Sequence, residues 1–257
     1  MQNAKIHFSQ SENNYQIKEA YKTLRSNIEF SGQNVKVVSV TSCTPGEGKT
    51  TVAMALARAF AEAGKKTVLV DADMRKSVLV GRERLSSVIC ETDTPNLYVI
   101  FSGPVPPNPS ELLGGRIFGK ALENMKQVFE YIIIDTPPLG SVIDAAVVAK
   151  QCDGTVMVIE SNAISYRFAQ RVKDQLDKAG AKILGVVLNK VDISGKGYYG
   201  NYGHYYGKYY GKYYGKYYGK YGEDNLNDQS KPPAATEESN DDDLDELNYL
   251  AGVMRKD

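Results

Sequence analysis

The stretch that decides the fold is SVTSCTPGEGKTT, residues 39–51. It follows an apolar run and leads into a helical pattern, which is the context of a phosphate-binding loop. Glycines at 46 and 48 allow backbone N–H groups to close on phosphate oxygens, and the N-terminus of the following helix adds positive potential. The stretch therefore predicts an anion site between a buried strand and a helix.

Two side chains of this loop predict its chemistry. Lys49 can reach the outer phosphates of a nucleotide, and the Thr50 hydroxyl can bind Mg²⁺. Cys43 occupies the position where the first glycine of the motif usually stands, and we interpret it as a small filler rather than a nucleophile. We expect the nucleotide to contact the whole loop: Thr44, Pro45, Gly46, Glu47, Gly48, Lys49, Thr50 and Thr51.

Short β-branched runs and helical patterns alternate along the rest of the chain. The predicted strands are apolar almost throughout, as strands covered on both faces should be. They lie at 35–41, 67–71, 97–101, 131–135, 155–160 and 183–189. Gly64 and Gly180 stand where helices should end. The alternation predicts an α/β fold with a doubly wound, mostly parallel sheet of the P-loop NTPase type.

Carboxylates end two of the predicted strands. Asp71 and Asp73 follow the strand at 67–71, and Asp135 ends the strand at 131–135. Ligands of open α/β sheets bind outside the carboxyl ends of the strands. Because Mg²⁺ prefers oxygen ligands, we expect Asp71, Asp73, Asp135 and Thr50 to supply a magnesium site.

The last predicted strand ends in Asn189, Lys190 and, two residues later, Asp192, which spell the N-K-x-D of guanine-binding switch proteins. A GTPase is therefore an alternative. Against it, DTPPLG (135–140) lacks the D-x-x-G of such switches, because Pro138 occupies the glycine position. Asn189 at this rim is equally suited to contact adenine, and we expect it to bind the nucleotide.

Composition excludes several functions. The chain has 257 residues, 42% of them hydrophobic, and a formal net charge of zero, which predicts no nucleic-acid partner. It has only two histidines, which disfavours zinc chemistry and a Ser-His-Asp triad. Neither a membrane-spanning run nor a secretory signal is visible, so we expect a cytoplasmic protein.

The sequence divides into four segments. We predict an N-terminal segment at 1–14, a nucleotide-binding domain at 15–195, a tyrosine-rich cluster at 196–222 and an acidic tail at 223–257. The last two are compositionally disordered. The tyrosines of the cluster are joined by a glycine- and lysine-containing linker, which is long enough for their hydroxyls to reach the predicted phosphate site. An alternative is a tail that assembles through stacked aromatic rings.

The motifs CTPGEGKTT, VLVDADMRK and YIIIDTPP resemble the Walker A, A′ and B motifs of the bacterial tyrosine kinases, and PPNPSELL (106–113) and GVVLN fit the same family. The resemblance covers roughly residues 15–222. It implies ATP and Mg²⁺ as cofactors, catalysis by Lys49, Asp71, Asp73 and Asp135, and Asp71 as the acceptor of the tyrosine proton. Arg75 would neutralise the transferring charge. The modified tyrosines would be Tyr198, Tyr199, Tyr202, Tyr205, Tyr206, Tyr209, Tyr210, Tyr213, Tyr214, Tyr217, Tyr218 and Tyr221.

The resemblance also implies partners. It resembles the Gram-positive arrangement, in which a separate kinase is activated by a transmembrane adaptor of the polysaccharide-chain-length type and regulates capsule or exopolysaccharide production. That places the chain at the inner face of the membrane. A cognate tyrosine phosphatase is a further expected partner. A ring-shaped homo-oligomer would use the first-helix motif E-x-x-R-x-x-R, which here reads Glu19, Lys22 and Arg25.

Two features of the sequence depart from the family pattern, and one alternative class of protein remains. Lysine at 22 keeps the charge but loses the bidentate geometry of arginine, which weakens the ring prediction. The connection at 77–90 is shorter than is usual in the family, which affects contacts near Arg82 and Arg84. Partition and positioning ATPases are the nearest rival class, but their loop carries an extra lysine where this chain has Thr44 or Pro45.

Overall fold

Six helices and seven strands alternate along the described part of the chain. The computed structural model describes residue 6 and residues 15–73, 88–101 and 108–191. The chain divides into two units, Met1–Ile193 and Ser194–Asp257, and all described residues lie in the first. The helices are α1 (Tyr15–Phe30), α2 (Lys49–Glu62), α3 (Pro109–Gly114), α4 (Arg116–Lys126), α5 (Asp144–Ala149) and α6 (Tyr166–Lys178). The strands are β1 (Val37–Ser42), β2 (Thr67–Asp71), β3 (Ile89–Glu91), β4 (Leu97–Ile100), β5 (Tyr131–Asp135), β6 (Gly154–Glu160) and β7 (Ile183–Asn189).

The seven strands form one sheet in the order β3-β4-β2-β5-β1-β6-β7. Every neighbouring pair is parallel except β3 with β4. The chain runs from β1 to β2 on one side and later to β6 on the other, and β5 is inserted between β1 and β2. The carboxyl ends of β2, β5 and β1 therefore lie side by side, where the predicted carboxylates and the phosphate loop follow.

Helices cover both faces of the sheet, which explains the continuous apolar strands. Ile133 packs in the core formed with α1 and α2, whereas Ile132 and Ile134 pack against α3, α4 and α5. All three side chains are completely buried. Full burial of such a side chain stabilises the fold by about 1.5–3 kcal/mol. The predicted doubly wound α/β sheet is confirmed.

The strand prediction holds closely and misses one element. β2, β5 and β7 have the predicted bounds, and Gly64 and Gly180 adopt the left-handed φ expected where a helix ends (82° and 76°). The missed element is β3, which pairs antiparallel with β4 at the edge of the sheet. Three residues provide too short a run to show a period of two.

The end of the sheet opposite the phosphate loop is fixed by one carboxylate. Asp153 Oδ2 accepts the backbone N–H groups of Lys36 (3.0 Å) and Val37 (2.8 Å). Its other oxygen lies 3.5 Å from Lys126 Nζ. Asp153 therefore connects the start of β1, the turn before β6 and the last turn of α4.

Candidate functional site

The loop between β1 and α2 has the conformation that its glycines predict. Gly46 and Gly48 adopt φ of 87° and 90°, a left-handed region that glycine enters without strain. A Cβ built on Gly48 would lie 2.2 Å from Asn189 Nδ2, so this position also lacks room for a side chain. The loop opens directly into α2, whose first N–H groups have no intrahelical acceptor.

The first half of the loop is held by the segment after β5. The backbone N–H of Leu139 donates to Ser42 O (2.8 Å) and that of Gly140 to Cys43 O (3.1 Å). Ser42 Oγ donates to Thr44 O at 2.8 Å. Gly140 lies close to the loop, because a Cβ built there would lie 2.2 Å from Cys43 O.

The second half of the loop is held by the end of β7. Asn189 Nδ2 donates to Glu47 O and Lys190 Nζ donates to Gly46 O, both at 2.8 Å. Lys190 Nζ also lies 2.8 Å from Glu160 Oε2. The structure therefore places Asn189 against the loop backbone, a contact that the sequence interpretation, which assigned it to the base, did not include. Asp192 lies outside the described residues.

Two buried side chains lie inside the loop. Glu47 is almost completely buried, and its Oε2 accepts the backbone N–H of Thr44 at 2.7 Å. Burial, with a smaller contribution from the charge of Glu47, raises the pKa of the Cys43 thiol to about 12. The thiol stays protonated at neutral pH, which agrees with its interpretation as a filler rather than a nucleophile.

Lys49 and the strand-end carboxylates meet at the mouth of the loop. Lys49 Nζ lies 3.7 Å from Asp73 Oδ2, 3.8 Å from Asp135 Oδ1 and 3.3 Å from Thr50 Oγ1. Asp71 and Asp135 are direct register partners on β2 and β5, and the Asp73 N–H donates to Asp71 Oδ1 at 3.0 Å. The structure thus brings together five of the predicted site residues.

Asp135 has the most perturbed carboxyl group of the site. Burial raises its pKa to about 6 against the opposing effects of Lys49 and the Thr50 hydroxyl, and the charges of Asp71 and Asp73 raise it further. Its Oδ1 is buried and has no hydrogen-bond partner among the described residues. A buried carboxylate oxygen without a donor has the chemistry of a cation ligand.

The same donor set limits how a metal would be held. Within residues 15–73, 88–101 and 108–191, no group of three or more His, Cys, Asp or Glu side chains could hold a metal ion by itself. The three carboxylates therefore do not form a ready-made protein cage. Mg²⁺ in nucleotide sites takes one or two carboxylates and completes its shell with waters and phosphate oxygens. Thr50 with Asp135 or Asp73 fits that requirement.

The predicted oligomerisation residues divide into two environments. Lys22 Nζ pairs with Glu19 Oε1 at 2.7 Å on an exposed face of α1. Arg25 is turned toward α2, where its guanidinium donates to Ala59 O at 3.2 Å, and its Nε lies 3.8 Å from Glu29 Oε2. Arg75 and the twelve predicted phosphorylation sites lie outside the described residues.

Comparisons with known proteins agree on the family. Residues 38–201 match the CobQ/CobB/MinD/ParA nucleotide binding domain. The chain is 44% identical over 204 residues to the tyrosine-protein kinase CpsD of Streptococcus agalactiae, with 72% of this chain and 89% of that protein covered. It is 36% identical over 203 residues to the tyrosine-protein kinase YwqD of Bacillus subtilis, covering 72% and 86%. The chain belongs to the bacterial tyrosine-protein kinase family.

Solved structures place the tyrosine kinases ahead of the positioning ATPases. The kinase domain of the Escherichia coli tyrosine kinase ETK superposes with a TM-score of 0.63 at 28% identity, covering 70% of this chain and 80% of that one. The chimerical protein CapA2B2 superposes with a TM-score of 0.67 at 35% identity, covering 70% and 88%. The septum site-determining protein MinD of Pyrococcus horikoshii, complexed with Mg-ADP, has a TM-score of 0.51 at 25% identity and covers 62% of this chain. The kinase interpretation is therefore favoured over the partition and positioning class. Among the described helices, none combines the length and apolar character needed to span a bilayer.

Proposed function

We propose that this chain transfers the γ-phosphoryl group of ATP to tyrosine hydroxyls, first to those of its own C-terminal cluster. The observation that carries the proposal is the convergence of Lys49, Asp73 and Asp135 at the mouth of the phosphate loop. Family membership supports the activity, and the tyrosine repeat provides a substrate on the same chain.

Each site residue has a role that its position supports. The loop N–H groups and Lys49 hold the β- and γ-phosphates. Thr50 with Asp135 or Asp73 would hold Mg²⁺, which would supply charge stabilisation to the phosphates. Lys49 lies close to Asp73 and Asp135 and would also pair with phosphate oxygens, so these two carboxylates would then be available to hold the cation. Each buried charge would keep an opposite charge beside it.

The transfer itself needs a proton acceptor. A free phenol has a pKa of about 10, so its oxygen is a weak nucleophile at neutral pH. Asp71, at the end of β2 beside Asp135, accepts that proton as the tyrosine oxygen bonds to the γ-phosphorus and the bond to the ADP oxygen breaks. Arg75 supplies positive charge to the transferring group.

The short sequence separation between β7 and the tyrosine cluster supports intermolecular or intramolecular delivery. Asn189 ends β7 at the loop, and Tyr198 follows nine residues later, a distance of at most about 30 Å in extended chain. The lysines between the tyrosines favour approach to a site that holds three carboxylates. Each added phosphate contributes about −1.5 to −2 charges, so modification replaces attraction by repulsion.

Family membership supports a proposed cellular role at the membrane. The kinase works at the inner face of the membrane through a transmembrane adaptor and regulates capsular or exopolysaccharide synthesis. A cognate tyrosine phosphatase removes the phosphates that it adds. Unphosphorylated tails in neighbouring sites support a homo-oligomer, and phosphorylation dissociates it. Light scattering before and after addition of ATP and Mg²⁺ tests this step; an unchanged oligomer with fully modified tyrosines contradicts it.

The activity is tested by incubating the full chain and its activator with ATP or GTP and probing for phosphotyrosine. We expect a signal with ATP that is lost in Lys49→Met, strongly reduced in Asp71→Asn and unaffected in Lys182→Met, a matched lysine substitution at the far end of β7. Absence of any signal with ATP, Mg²⁺ and activator contradicts the proposed function. An equal signal with GTP contradicts the choice of ATP.

A further inference from the structure

The end of β7 contacts the phosphate loop through two side chains whose partners are distant in sequence. Asn189 Nδ2 and Lys190 Nζ donate to consecutive carbonyls of the loop, those of Glu47 and Gly46. Lys190 adopts a φ of 54°, which is uncommon for a residue with a side chain. Because a non-glycine residue rarely adopts this left-handed conformation, the contacts around Lys190 must stabilise its backbone there.

Holding these carbonyls sets the direction of two N–H donors. In a planar trans peptide the C=O and the following N–H point in opposite directions. Fixing Gly46 O toward Lys190 therefore turns the Glu47 N–H the other way, and fixing Glu47 O toward Asn189 does the same for the Gly48 N–H. Neither N–H has an acceptor among the described residues. Inward N–H groups of this kind form an anion-binding concavity.

The loop needs such support because its own residues do not determine the peptide orientation. Glycines 46 and 48 flank the two peptides, and glycine populates positive and negative φ about equally. Lys190 is in turn held by Glu160 on β6, with Nζ 2.8 Å from the carboxylate. The close approach of Asn189 to Gly48 leaves no room for a Cβ, so the amide and the glycine fit each other.

We propose that Asn189 and Lys190 are positioning residues of the phosphate site, which orient two loop N–H groups toward the nucleotide phosphates through the loop carbonyls. The inference rests on the proposed function only in requiring that the loop bind nucleotide phosphates. It differs from a base contact by Asn189, because a residue that acts on the loop affects every phosphate ligand alike. It also gives the N-K pair a role that is independent of guanine recognition.

The test compares ligands with and without a base. Binding of ADP, GDP and inorganic tripolyphosphate, each with Mg²⁺, is measured by calorimetry on the full chain and on Asn189→Ala, Asn189→Asp, Lys190→Met and Lys190→Arg. Loss of one hydrogen bond corresponds to about a 3- to 10-fold loss of affinity. We expect this loss for all three ligands in Asn189→Ala and Lys190→Met. We expect a larger loss in Asn189→Asp, which places an oxygen against Glu47 O, and recovery in Lys190→Arg.

Lys182→Met is the matched control, because Lys182 is an exposed lysine before the other end of β7. Thermal unfolding of each variant separates local from global effects. Loss of ADP affinity with unchanged tripolyphosphate affinity in Asn189→Ala would overturn the proposal in favour of a base contact. Equal affinities in Lys190→Met and Lys182→Met would overturn the role of Lys190. The kinase activity is measured separately as phosphotyrosine. A chain whose tripolyphosphate affinity depends on Asn189 and Lys190 but which modifies no tyrosine therefore refutes the proposed function alone.

Discussion

Replacing Gly140 by alanine should destabilise the fold and the phosphate loop together. The added Cβ would lie 2.2 Å from Cys43 O and 3.0 Å from Phe168 Cζ, where ordinary contacts begin near 3.4 Å. The nearest atom is backbone, so the loop or the segment after β5 must move by about 1 Å, and overpacking of this kind costs about 1–3 kcal/mol. The displaced segment also loses the hydrogen bond from the Gly140 N–H to Cys43 O, which adds about 1 kcal/mol. We expect the free energy of unfolding to fall by about 2–4 kcal/mol.

Urea denaturation of the nucleotide-free chain measures this loss, and calorimetry with ADP measures the accompanying loss of affinity. Gly185→Ala is the control, because a Cβ there would meet nothing within 4 Å. An unstrained replacement of glycine leaves stability unchanged or raises it by up to about 1 kcal/mol. If Gly140→Ala lowers stability no more than the control does, the close approach of the two segments is not a constraint and the reasoning is wrong.

Three further changes test other parts of the structure. The pKa of Asp135 is raised from 3.8 to about 6, so the folded chain holds this proton more tightly than the unfolded chain, and the carboxyl group destabilises the fold as pH rises from about 4 to 6. The free energy of unfolding of Asp135→Asn, compared with that of the native chain, should therefore be up to about 3 kcal/mol higher at pH 7 than at pH 4, as measured by urea denaturation without nucleotide. An equal difference between the two chains at both pH values contradicts this. Asp153→Ala removes the acceptor of two backbone N–H groups and should cost about 2–4 kcal/mol of stability while ADP affinity is retained; a retained stability would show that the turn before β6 reorganises freely. Arg25→Ala should destabilise the monomer by about 1–2 kcal/mol because it removes the bond to Ala59 O, whereas Lys22→Ala, at an exposed pair, should change stability less. Equal unfolding midpoints for these two variants would contradict the different environments of the two side chains.

The sequence was sufficient for the buried parallel strands and for the position of the site. Strands buried on both faces have a simple composition, and the rule that ligands bind at carboxyl strand ends places Asp71 and Asp135 together without any coordinates. The structure adds that they are register partners on the neighbouring strands β2 and β5. Lys49 and Thr50 were predicted by the spacing of the loop alone.

Contacts between distant backbone segments were not predictable in the same way. Gly140 allows a close approach to Cys43 O, and nothing in the sequence indicates that these two segments meet. Asn189 was assigned to a base because side chains at that rim commonly contact ligands, and the sequence contains no signal that its amide reaches Glu47 O. β3 escaped detection because an antiparallel edge strand of three residues has neither length nor periodicity.

The contacts between the end of β7 and the phosphate loop set the order in which the protein becomes competent during its synthesis. Domains generally fold as units, and the ribosome delivers the N-terminal part of the chain first. The loop is translated early, yet Asn189 and Lys190, which donate to two of its carbonyls, are translated about 140 residues later. A nascent chain that ends before β7 therefore carries the complete nucleotide motif without the donors that shape it. The tyrosine cluster begins within ten residues of those donors, so a nascent chain acquires the donors and its first tyrosines in close succession.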